Sequence, residues 1–320
     1  MFFDALTLFY CGKSVDDRAC EMEYDKLSAP LYASVIESVC RAQGCSPEVV
    51  VLPSVESTNT WLWNNKQTSP LVLCATEHQT LGRGRRGKTW HTPRLGLTFS
   101  LRLICVEHIA QLSGLSLLVG SVLCDQLREM GVPRAMVKWP NDILVDGAKL
   151  AGILVESSTA AVSESAASRM DVVTSDSHSG NQSVVDQTAK VKAGAGTTVV
   201  IGIGVNYRRG REASLIDQAS IDLYEICGAQ LPERCEIIGL VTARLAKVLA
   251  QSVPESLNKL SQNWPDYDAM SGCELTVESG TERVSGRAAG IDSSGALMVQ
   301  TDEGMKSFIS ADISFGKIAE

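Results

Sequence analysis

Aromatic residues and positive charge are both scarce in this chain of 320 residues. Phe, Trp and Tyr make up 5% of it, and the formal net charge is −8. A negatively charged chain does not attract nucleic acid or anionic lipid as a whole, and few rings are present to stack on bases. Any polyanion that the protein binds must therefore be met by a local group of cations.

Metal-binding and disulfide patterns are also missing. The ten cysteines include no Cys-x-x-Cys pair and no regular spacing, whereas zinc sites and disulfide frameworks usually show one or the other. The four histidines, at positions 78, 91, 108 and 178, have no metal-ligand spacing. We therefore expect reduced thiols in a reducing compartment, and no metal held by the protein alone.

Targeting and membrane-spanning patterns are absent as well. Residues 1–13 are apolar but include Asp4 and lack the basic region of a signal peptide. The longest uncharged stretch, 109–124, contains Gln111, three serines and two glycines, and is too short to span a bilayer. These features predict a cytoplasmic protein that does not bind membranes.

The length predicts two units, since single domains usually hold about 100–200 residues. Residues 1–48 are acidic and show no basic recognition helix, so we expect no DNA-binding domain. Residues 49–270 have the pattern of a mixed α/β domain, with a serine-rich, flexible insertion at 157–196. Residues 271–320 alternate in short runs between turn signals, which predicts a small β unit.

Hydrophobic periodicity predicts the elements in more detail. Alternation over 96–103 predicts a half-buried strand, and a capping signal at Ser57 predicts a helix start. Apolar residues spaced by three and four predict one long helix over 109–130, with Gly131 just past its end. We also expect helices over 233–251 and 255–264, and two strands, 137–139 and 149–156, separated by the turn Asp146-Gly147.

The segment 79–90, QTLGRGRRGKTW, mixes glycines with closely spaced cations. Glycine permits close backbone approach, and guanidinium groups match phosphate or carboxylate bidentately. The segment fits neither a Walker loop nor a dinucleotide-binding fingerprint. It predicts an anion-binding loop, with a solvated basic turn or an RNA-binding patch as alternatives. The residues concerned are Gln79, Gly82, Arg83, Gly84, Arg85, Arg86, Gly87, Lys88 and Trp90.

A second segment, VKWPNDILVDGAKLAGILVE at 137–156, places charged groups beside a strand end. Lys138 ends the predicted strand, and Asn141 and Asp142 follow in a turn. Lys149 and Gly152 lie near one strand end, so a ligand there would meet both an ammonium group and bare backbone. A plain β-hairpin with Asn-Asp as turn formers is the alternative.

A third segment, IGIGVN at 201–206, is a predicted buried strand with two glycines on one face. Gly202 and Gly204 would open space for a flat or bulky group against the sheet, although strand glycines more often mark a bulge.

With Ser57, Thr58 and Asn59 upstream, the three segments resemble the hallmark motifs of the biotin protein ligase family. These motifs are G-R-G-R-R-G, K-W-P-N-D, K-L-x-G-I-L-x-E and G-I-G-x-N, and all four occur here in that order. The resemblance runs from Val49 to Phe315. It implies an α+β fold: a mixed sheet packed on helices, as in class II synthetases, with a small C-terminal SH3-like β-barrel.

The resemblance implies an ATP-dependent ligase. Such enzymes join the carboxylate of biotin to the α-phosphorus of ATP, and then pass biotin from biotinyl-5'-AMP to a lysine of a biotin carboxyl carrier domain. The implied small molecules are biotin, ATP and Mg²⁺, the ion arriving with the nucleotide. Family members are monomers or homodimers, and both remain open for this chain.

The resemblance also implies roles for the matching residues. Ser57, Thr58 and Gln79 would contact the ureido ring of biotin, with the backbone around Gly82, Gly152 and Ile153 beside the bicycle. Asn59 would be a further binding residue. The ATP side would comprise Trp90, Asn141, Asp142 and Asn206, and Gly202 and Gly204 would also belong to the binding residues. Arg83 and Lys149 would meet the carboxylate or phosphate, Lys138 would add charge, and Gly84, Arg85, Arg86 and Gly87 would belong to a closing loop.

Two rival functions and one role stay open. A lipoate or octanoate ligase shares the superfamily, and a non-catalytic RNA-binding module would use the basic loop. Asp142 is a candidate base for the acceptor lysine, but it would serve equally as a Mg²⁺ ligand or turn former. Ala289 stands where relatives place an arginine before the glycine, which weakens the case for a contact between tail and active site.

Overall fold

The computed structural model describes residues 28–65, 69–91, 95–159, 196–208 and 219–315. Most of the predicted insertion at 157–196 lies outside these ranges, as do residues 1–27 of the acidic extension. The insertion is flanked by two neighbouring strands of the main sheet, one that ends at Ser158 and one that begins at Thr197.

A seven-stranded mixed sheet forms the larger unit, in the order β1-β2-β3-β7-β6-β5-β4. Only β1 and β2 run parallel, and every other neighbouring pair is antiparallel. The strands are β1 Glu48–Leu52, β2 Leu71–Thr76, β3 Leu95–Cys105, β4 Ala135–Lys138, β5 Asp142–Val145, β6 Ala148–Ser158 and β7 Thr197–Arg208.

Helices cover the sheet. They are α1 Ala33–Ala42, α2 Thr58–Asn64, α3 Leu115–Glu129, α4 Leu223–Cys227, α5 Arg234–Leu249 and α6 Val253–Gln262. The helices predicted over 233–251 and 255–264 correspond to α5 and α6, and Trp264 begins a separate 3-10 turn.

A second, five-stranded antiparallel sheet follows in the order β11-β10-β9-β8-β12. Its strands are β8 Glu274–Ser279, β9 Glu282–Ile291, β10 Leu297–Thr301, β11 Gly304–Phe308 and β12 Asp312–Phe315. The predicted α+β fold, with its small C-terminal β unit, is confirmed.

The strand predicted to be half-buried is buried on both faces. In β3 the apolar side chains of Leu97, Phe99 and Leu101 are buried, but so are the polar ones of Thr98 and Ser100. The prediction was wrong because α2 covers the second face, where Ser100 hydrogen-bonds to residues of that helix. Alternation in the sequence marks polar positions and does not show whether they face water.

The long helix predicted over 109–130 is interrupted. A 3-10 turn over Ile109–Leu112 precedes α3, and Gly131 follows the helix end with φ +95° as predicted. At the break, a Cβ on Gly114 would lie 2.6 Å from the carbonyl oxygen of Ser294, because the C-terminal unit packs against this point. The stretch 109–129 has the length and hydropathy of a membrane span, but 67% of its apolar 18-residue window is buried inside the protein.

The charged segment at 137–156 forms three strands, so the prediction of two missed β5. The Asp146-Gly147 turn joins β5 to β6, and both residues have the positive φ that a tight hairpin turn requires. Strand β5 matters for the site because Asp142 begins it, directly opposite Gly152 of β6.

Helix α1, within the acidic 1–48 segment, packs against α5 of the larger unit. Gly239 lets the helices approach, since a Cβ there would lie 2.7 Å from Cβ of Val39. The buried guanidinium of Arg234 pairs with Glu77 at 2.6 Å and donates to the carbonyl of Ala29 at 2.7 Å. Residues 28–48 of the acidic segment therefore pack against the larger unit and are joined to it by these hydrogen bonds.

Candidate active site

One cleft of about 310 Å³ opens over the centre of the larger sheet. Of the residues singled out in the sequence, Gly82 and Gly87 do not line it, and all the others do. These lining residues are Ser57, Thr58, Asn59, Gln79, Arg83, Gly84, Arg85, Arg86, Lys88, Trp90, Lys138, Asn141, Asp142, Lys149, Gly152, Ile153, Gly202, Gly204 and Asn206. Segments nearly 150 residues apart in sequence thus meet at one place.

Uncharged polar groups line one end of the cleft, where α2 begins. Ser57 caps the helix by accepting from the N–H of Thr60 at 3.4 Å. The N–H of Thr58, in the first turn, would have no partner within the helix and donates instead to Oε1 of Gln79 at 2.8 Å. This hydrogen bond therefore connects the first turn of α2 to the loop that contains Gln79.

Behind this wall a chain of hydrogen bonds continues into the protein. The Thr58 hydroxyl lies 2.6 Å from the Ser100 hydroxyl, which donates to Oδ1 of Asn59 at 2.6 Å. The Asn59 amide donates to Glu156, and Arg83 is ion-paired with the same carboxylate at 2.9 Å. We call Gln79, Thr58, Ser100, Asn59 and Glu156 the polar relay.

The space predicted above Gly202 and Gly204 is present, but the protein's own side chains enter it. A Cβ on Gly204 would lie 2.4 Å from Cε2 of Trp90, and a Cβ on Gly202 would lie 2.4 Å from Oδ1 of Asn59. Gly152, opposite Gly204 on β6, also lies under the Trp90 indole. The Trp90 Nε1–H is buried and has no hydrogen-bond partner among the described residues, so it is an unsatisfied donor at the cleft.

Lys149 and Asp142 form an ion pair of 2.8 Å in the cleft, with side chains 22% and 19% exposed. The Lys149 ammonium also lies 5.7 Å from the centre of the Trp90 ring. Nearby, burial lowers the pKa of Lys138, which Asp142 raises and the neighbouring cations Lys149 and Lys88 lower further. Burial likewise lowers the pKa of the Arg85 guanidinium.

The arginine loop is held by the C-terminal unit. Arg86 pairs with Asp312, Lys88 lies 3.4 Å from the same carboxylate, and Arg85 donates to the Ser310 hydroxyl at 3.0 Å. Burial opposes ionisation of Asp312, but its hydrogen bonds and charge attraction to Arg86 and Lys88 hold its pKa below the ordinary value. The C-terminal unit therefore contacts the active site through Ser310 and Asp312. The doubt that Ala289 raised about such a contact was wrong, because the contact uses other residues.

Two amides brace the backbone of the site. The Asn141 side chain donates to the carbonyl of Ile153 at 2.9 Å. The Asn206 side chain, which is 7% exposed, donates to the carbonyls of Lys149 and Ile221 at 3.1 Å each. Both residues therefore fix the strand that carries Lys149.

The cleft is positive within a negative protein. Six Lys and Arg residues line it against two acids, Asp142 and Asp312. Both acids are paired with cations, and the described part of the chain contains no group of three or more His, Cys, Asp or Glu residues able to hold a metal. The site therefore suits an anion.

Sequence reasoning missed several residues of the site. Ser100 was interpreted only as a strand position, and Glu156 was noted only as the last letter of a motif. Asp312 gave no local signal at all, because its contact with Arg86 joins residues 226 positions apart.

Comparison with known proteins places the chain in a family. Residues 51–171 match the Biotin/lipoate A/B protein ligase family, and residues 271–316 match the Biotin protein ligase C terminal domain. The bifunctional ligase/repressor BirA of Escherichia coli (strain K12) is 30% identical over 271 residues, covering 83% of this chain and 73% of that protein. The biotin–[acetyl-CoA-carboxylase] ligase of Mycobacterium tuberculosis is 31% identical over 235 residues, covering 71% and 72%.

The solved structures give the same fold. The biotin protein ligase from Aquifex aeolicus in complex with biotin and ATP superposes with a TM-score of 0.63 at 23% identity, over 84% of this chain and 98% of that one. The biotin acetyl coenzyme A carboxylase synthetase from Helicobacter pylori gives 0.53 at 21% identity, over 82% and 100%. By its sequence, this chain belongs to the biotin protein ligases of the Biotin/lipoate A/B protein ligase family.

Proposed function

We propose that the protein is a biotin–[biotin carboxyl-carrier protein] ligase. It forms biotinyl-5'-AMP from biotin and ATP, and then transfers biotin to a lysine of a carrier domain. One observation carries this proposal: the cleft joins an uncharged polar end, at Thr58 and Gln79, to an end lined by cations. The first end suits a cyclic urea, and the second suits a carboxylate beside a triphosphate.

In the first step, a carboxylate oxygen of biotin attacks the α-phosphorus of ATP, and the bond from that phosphorus to the β-phosphate oxygen breaks. Pyrophosphate leaves with the bonding electrons. The approach of two anions is unfavourable unless cations offset it, and Arg83, Lys138 and Lys149 lie at the cleft to do so. Arg85 and Arg86, on the loop, cover the intermediate and keep water from the mixed anhydride.

A Mg²⁺ ion bound with ATP would supply further positive charge at the phosphates. We propose that it enters with ATP, because the two carboxylates that line the cleft among the described residues are already paired with cations. Asp142 is the cleft carboxylate that would contact it, with the Trp90 Nε1–H and the braced strand of Asn141 and Asn206 on the nucleotide side.

In the second step, the amine of the carrier lysine attacks the acyl carbon and AMP leaves. Because a free lysine has a pKa of about 10.4, deprotonating it at pH 7 costs about 4.6 kcal/mol. We propose Asp142 as the proton acceptor, with Mg²⁺ binding as its alternative role. Asp142→Asn with the two steps timed separately decides between them: slower transfer alone supports the base, whereas equal loss of both steps excludes it.

The partner is proposed to be a carrier domain of a carboxylase, and DNA is not proposed as a ligand although BirA is a ligase/repressor. A cytoplasmic location is proposed as well, since all eight described cysteines are free thiols. The test is incubation with a biotin carrier domain, MgATP and labelled biotin. Label on the carrier lysine supports the proposal. If the carrier is labelled only by octanoate or lipoate, the protein is instead a lipoate or octanoate ligase. If only RNA raises the thermal midpoint of the protein, it is instead an RNA-binding module.

A further inference from the structure

Glu156 is not among the residues that line the cleft, but it forms the inner end of the polar relay through its contacts with Asn59 and Arg83. We propose that Glu156 is a positioning residue that sets the direction of every hydrogen bond in the relay, and thereby the affinity of the cleft for the ureido group of biotin. This inference rests on the proposed function and deepens it.

The contacts of Glu156 explain why it can act this way. Its side chain is 28% exposed on β6, and both carboxylate oxygens accept from Nη2 of Arg83, at 3.0 and 2.9 Å. One oxygen also accepts from Nδ2 of Asn59 at 2.8 Å, and the same NH₂ group lies 3.4 Å from the carbonyl oxygen of Leu154, a weaker contact. An ionised carboxylate can only accept hydrogen bonds, so the NH₂ of the Asn59 amide must face Glu156.

The direction then propagates along the relay. With its NH₂ facing Glu156, Asn59 presents its carbonyl oxygen to Ser100, which gives it the single proton of its hydroxyl. Ser100 must then accept from the Thr58 hydroxyl, 2.6 Å away. Each hydroxyl has one proton to donate, so one carboxylate fixes both.

The open end of the relay faces the ligand. Oε1 of Gln79 takes the Thr58 N–H at 2.8 Å, which leaves the Gln79 NH₂ as a donor. The Thr58 hydroxyl lies 3.1 Å from the same Oε1 atom and 2.6 Å from the Ser100 hydroxyl, which has already given its own proton to Asn59. The shorter contact takes the single Thr58 proton, and the lone pairs of the Thr58 oxygen stay available as acceptors. A cyclic urea has N–H donors and a carbonyl acceptor, and this wall offers the complement of both.

A second observation supports the position of the Asn59 amide. Strand β7 has Gly202 where a Cβ would lie 2.4 Å from the Asn59 Oδ1 atom. The fold thus leaves room for the amide group within the relay.

The test compares a polarity reversal with its rescue. In Glu156→Gln, the new oxygen accepts from Arg83 and the new NH₂ faces Asn59, which turns the amide and reverses the relay. In the double variant Asn59→Asp with Glu156→Gln, the carboxylate is at position 59 and the amide at position 156. The carboxylate accepts from the new amide and from the Ser100 hydroxyl, so Ser100 donates as in the wild type. Glu129→Gln is the control, because Glu129 pairs with Arg244 at 2.6 Å on the exposed surface.

We expect Glu156→Gln to raise the Kd for biotin, by calorimetry without ATP, about tenfold or more, since hydrogen bonds to charged groups are among the strong ones. The KM for ATP should change by less than about twofold, a change below the energy of one hydrogen bond. The double variant should recover part of the lost affinity, because it restores the direction of the relay but loses the contact of the Asn59 amide with the Leu154 carbonyl. Glu129→Gln should match the wild type. Ser100→Ala, which removes the middle of the relay, should show the same selective loss and replaces Glu156→Gln if that variant does not fold.

Wild-type biotin affinity in Glu156→Gln and Ser100→Ala would overturn the inference. So would a parallel rise of the ATP KM, or a double variant that folds, by its thermal midpoint, but binds no better than Glu156→Gln. A wild-type protein that binds no biotin would instead refute the proposed function, so the two failures are distinct.

Discussion

Removing the ammonium of Lys149 should damage the rate far more than the fold. Lys149→Ala deletes one member of the 2.8 Å pair with Asp142, whose side chains are about one-fifth exposed. Exposed pairs contribute about 0–1 kcal/mol, and breaking a buried pair costs about 3–5 kcal/mol. For this half-sheltered pair we expect a loss of about 1–2 kcal/mol in the free energy of unfolding, which a domain stable by about 5–15 kcal/mol survives.

The effect on the reaction should be larger. A well-placed donor at developing negative charge lowers the barrier by about 3–4 kcal/mol, so Lys149→Ala should slow biotinyl-5'-AMP formation about 10²–10³-fold. The assay is pyrophosphate release in a single turnover, run beside thermal unfolding. Arg134→Ala is the matched control, because its 2.8 Å pair with Asp146 is exposed and away from the cleft. A folded Lys149→Ala protein with a rate within threefold of the wild type would refute the reasoning.

Further predictions concern Trp90, the tail and Lys138. Gly204→Ala should displace the Trp90 indole and cost about 1–3 kcal/mol by overpacking; an unchanged near-UV circular dichroism spectrum would contradict this. Asp312→Asn should loosen the arginine loop, seen as faster tryptic cleavage at Arg86 with no large change in thermal midpoint; equal cleavage rates would contradict it. Because burial lowers the pKa of Lys138, its cation is lost as pH rises at a lower pH than for an ordinary lysine. The KM for ATP should therefore rise on the alkaline side, and Lys138→Arg should move that rise to higher pH. If the KM of the two proteins depends on pH in the same way, Lys138 does not provide the titrating charge.

Local patterns predicted much of the site. The cap at Ser57 starts α2 one residue later, at Thr58, and Gly131 ends α3, because both signals depend on neighbours in the sequence. The motif residues other than Gly82 and Gly87 line one cleft, as their shared chemistry suggested. That they bind a ligand there stays a prediction.

Long-range packing was beyond the sequence. The burial of Ser100 follows from α2 lying over β3, and the interruption before α3 follows from the C-terminal unit touching Gly114. The Trp90 ring enters the space over Gly204 because two distant segments fold onto one another. Each of these facts depends on which surfaces meet, and periodicity within one segment carries no information about that.

The relay shows the same difference at the level of function. Asn59 and Glu156 are 97 residues apart, and only the fold makes them partners. The sequence marks Glu156 as part of a motif, but its task becomes visible only when its acceptor-only carboxylate is placed beside an amide.

The most direct test of the whole account is whether the purified protein makes biotinyl-5'-AMP. Incubated with biotin and MgATP and no carrier, it should yield the adenylate by mass spectrometry, with one pyrophosphate released for each. A folded protein that gives neither product, or that adenylates octanoate or lipoate in preference to biotin, would contradict it.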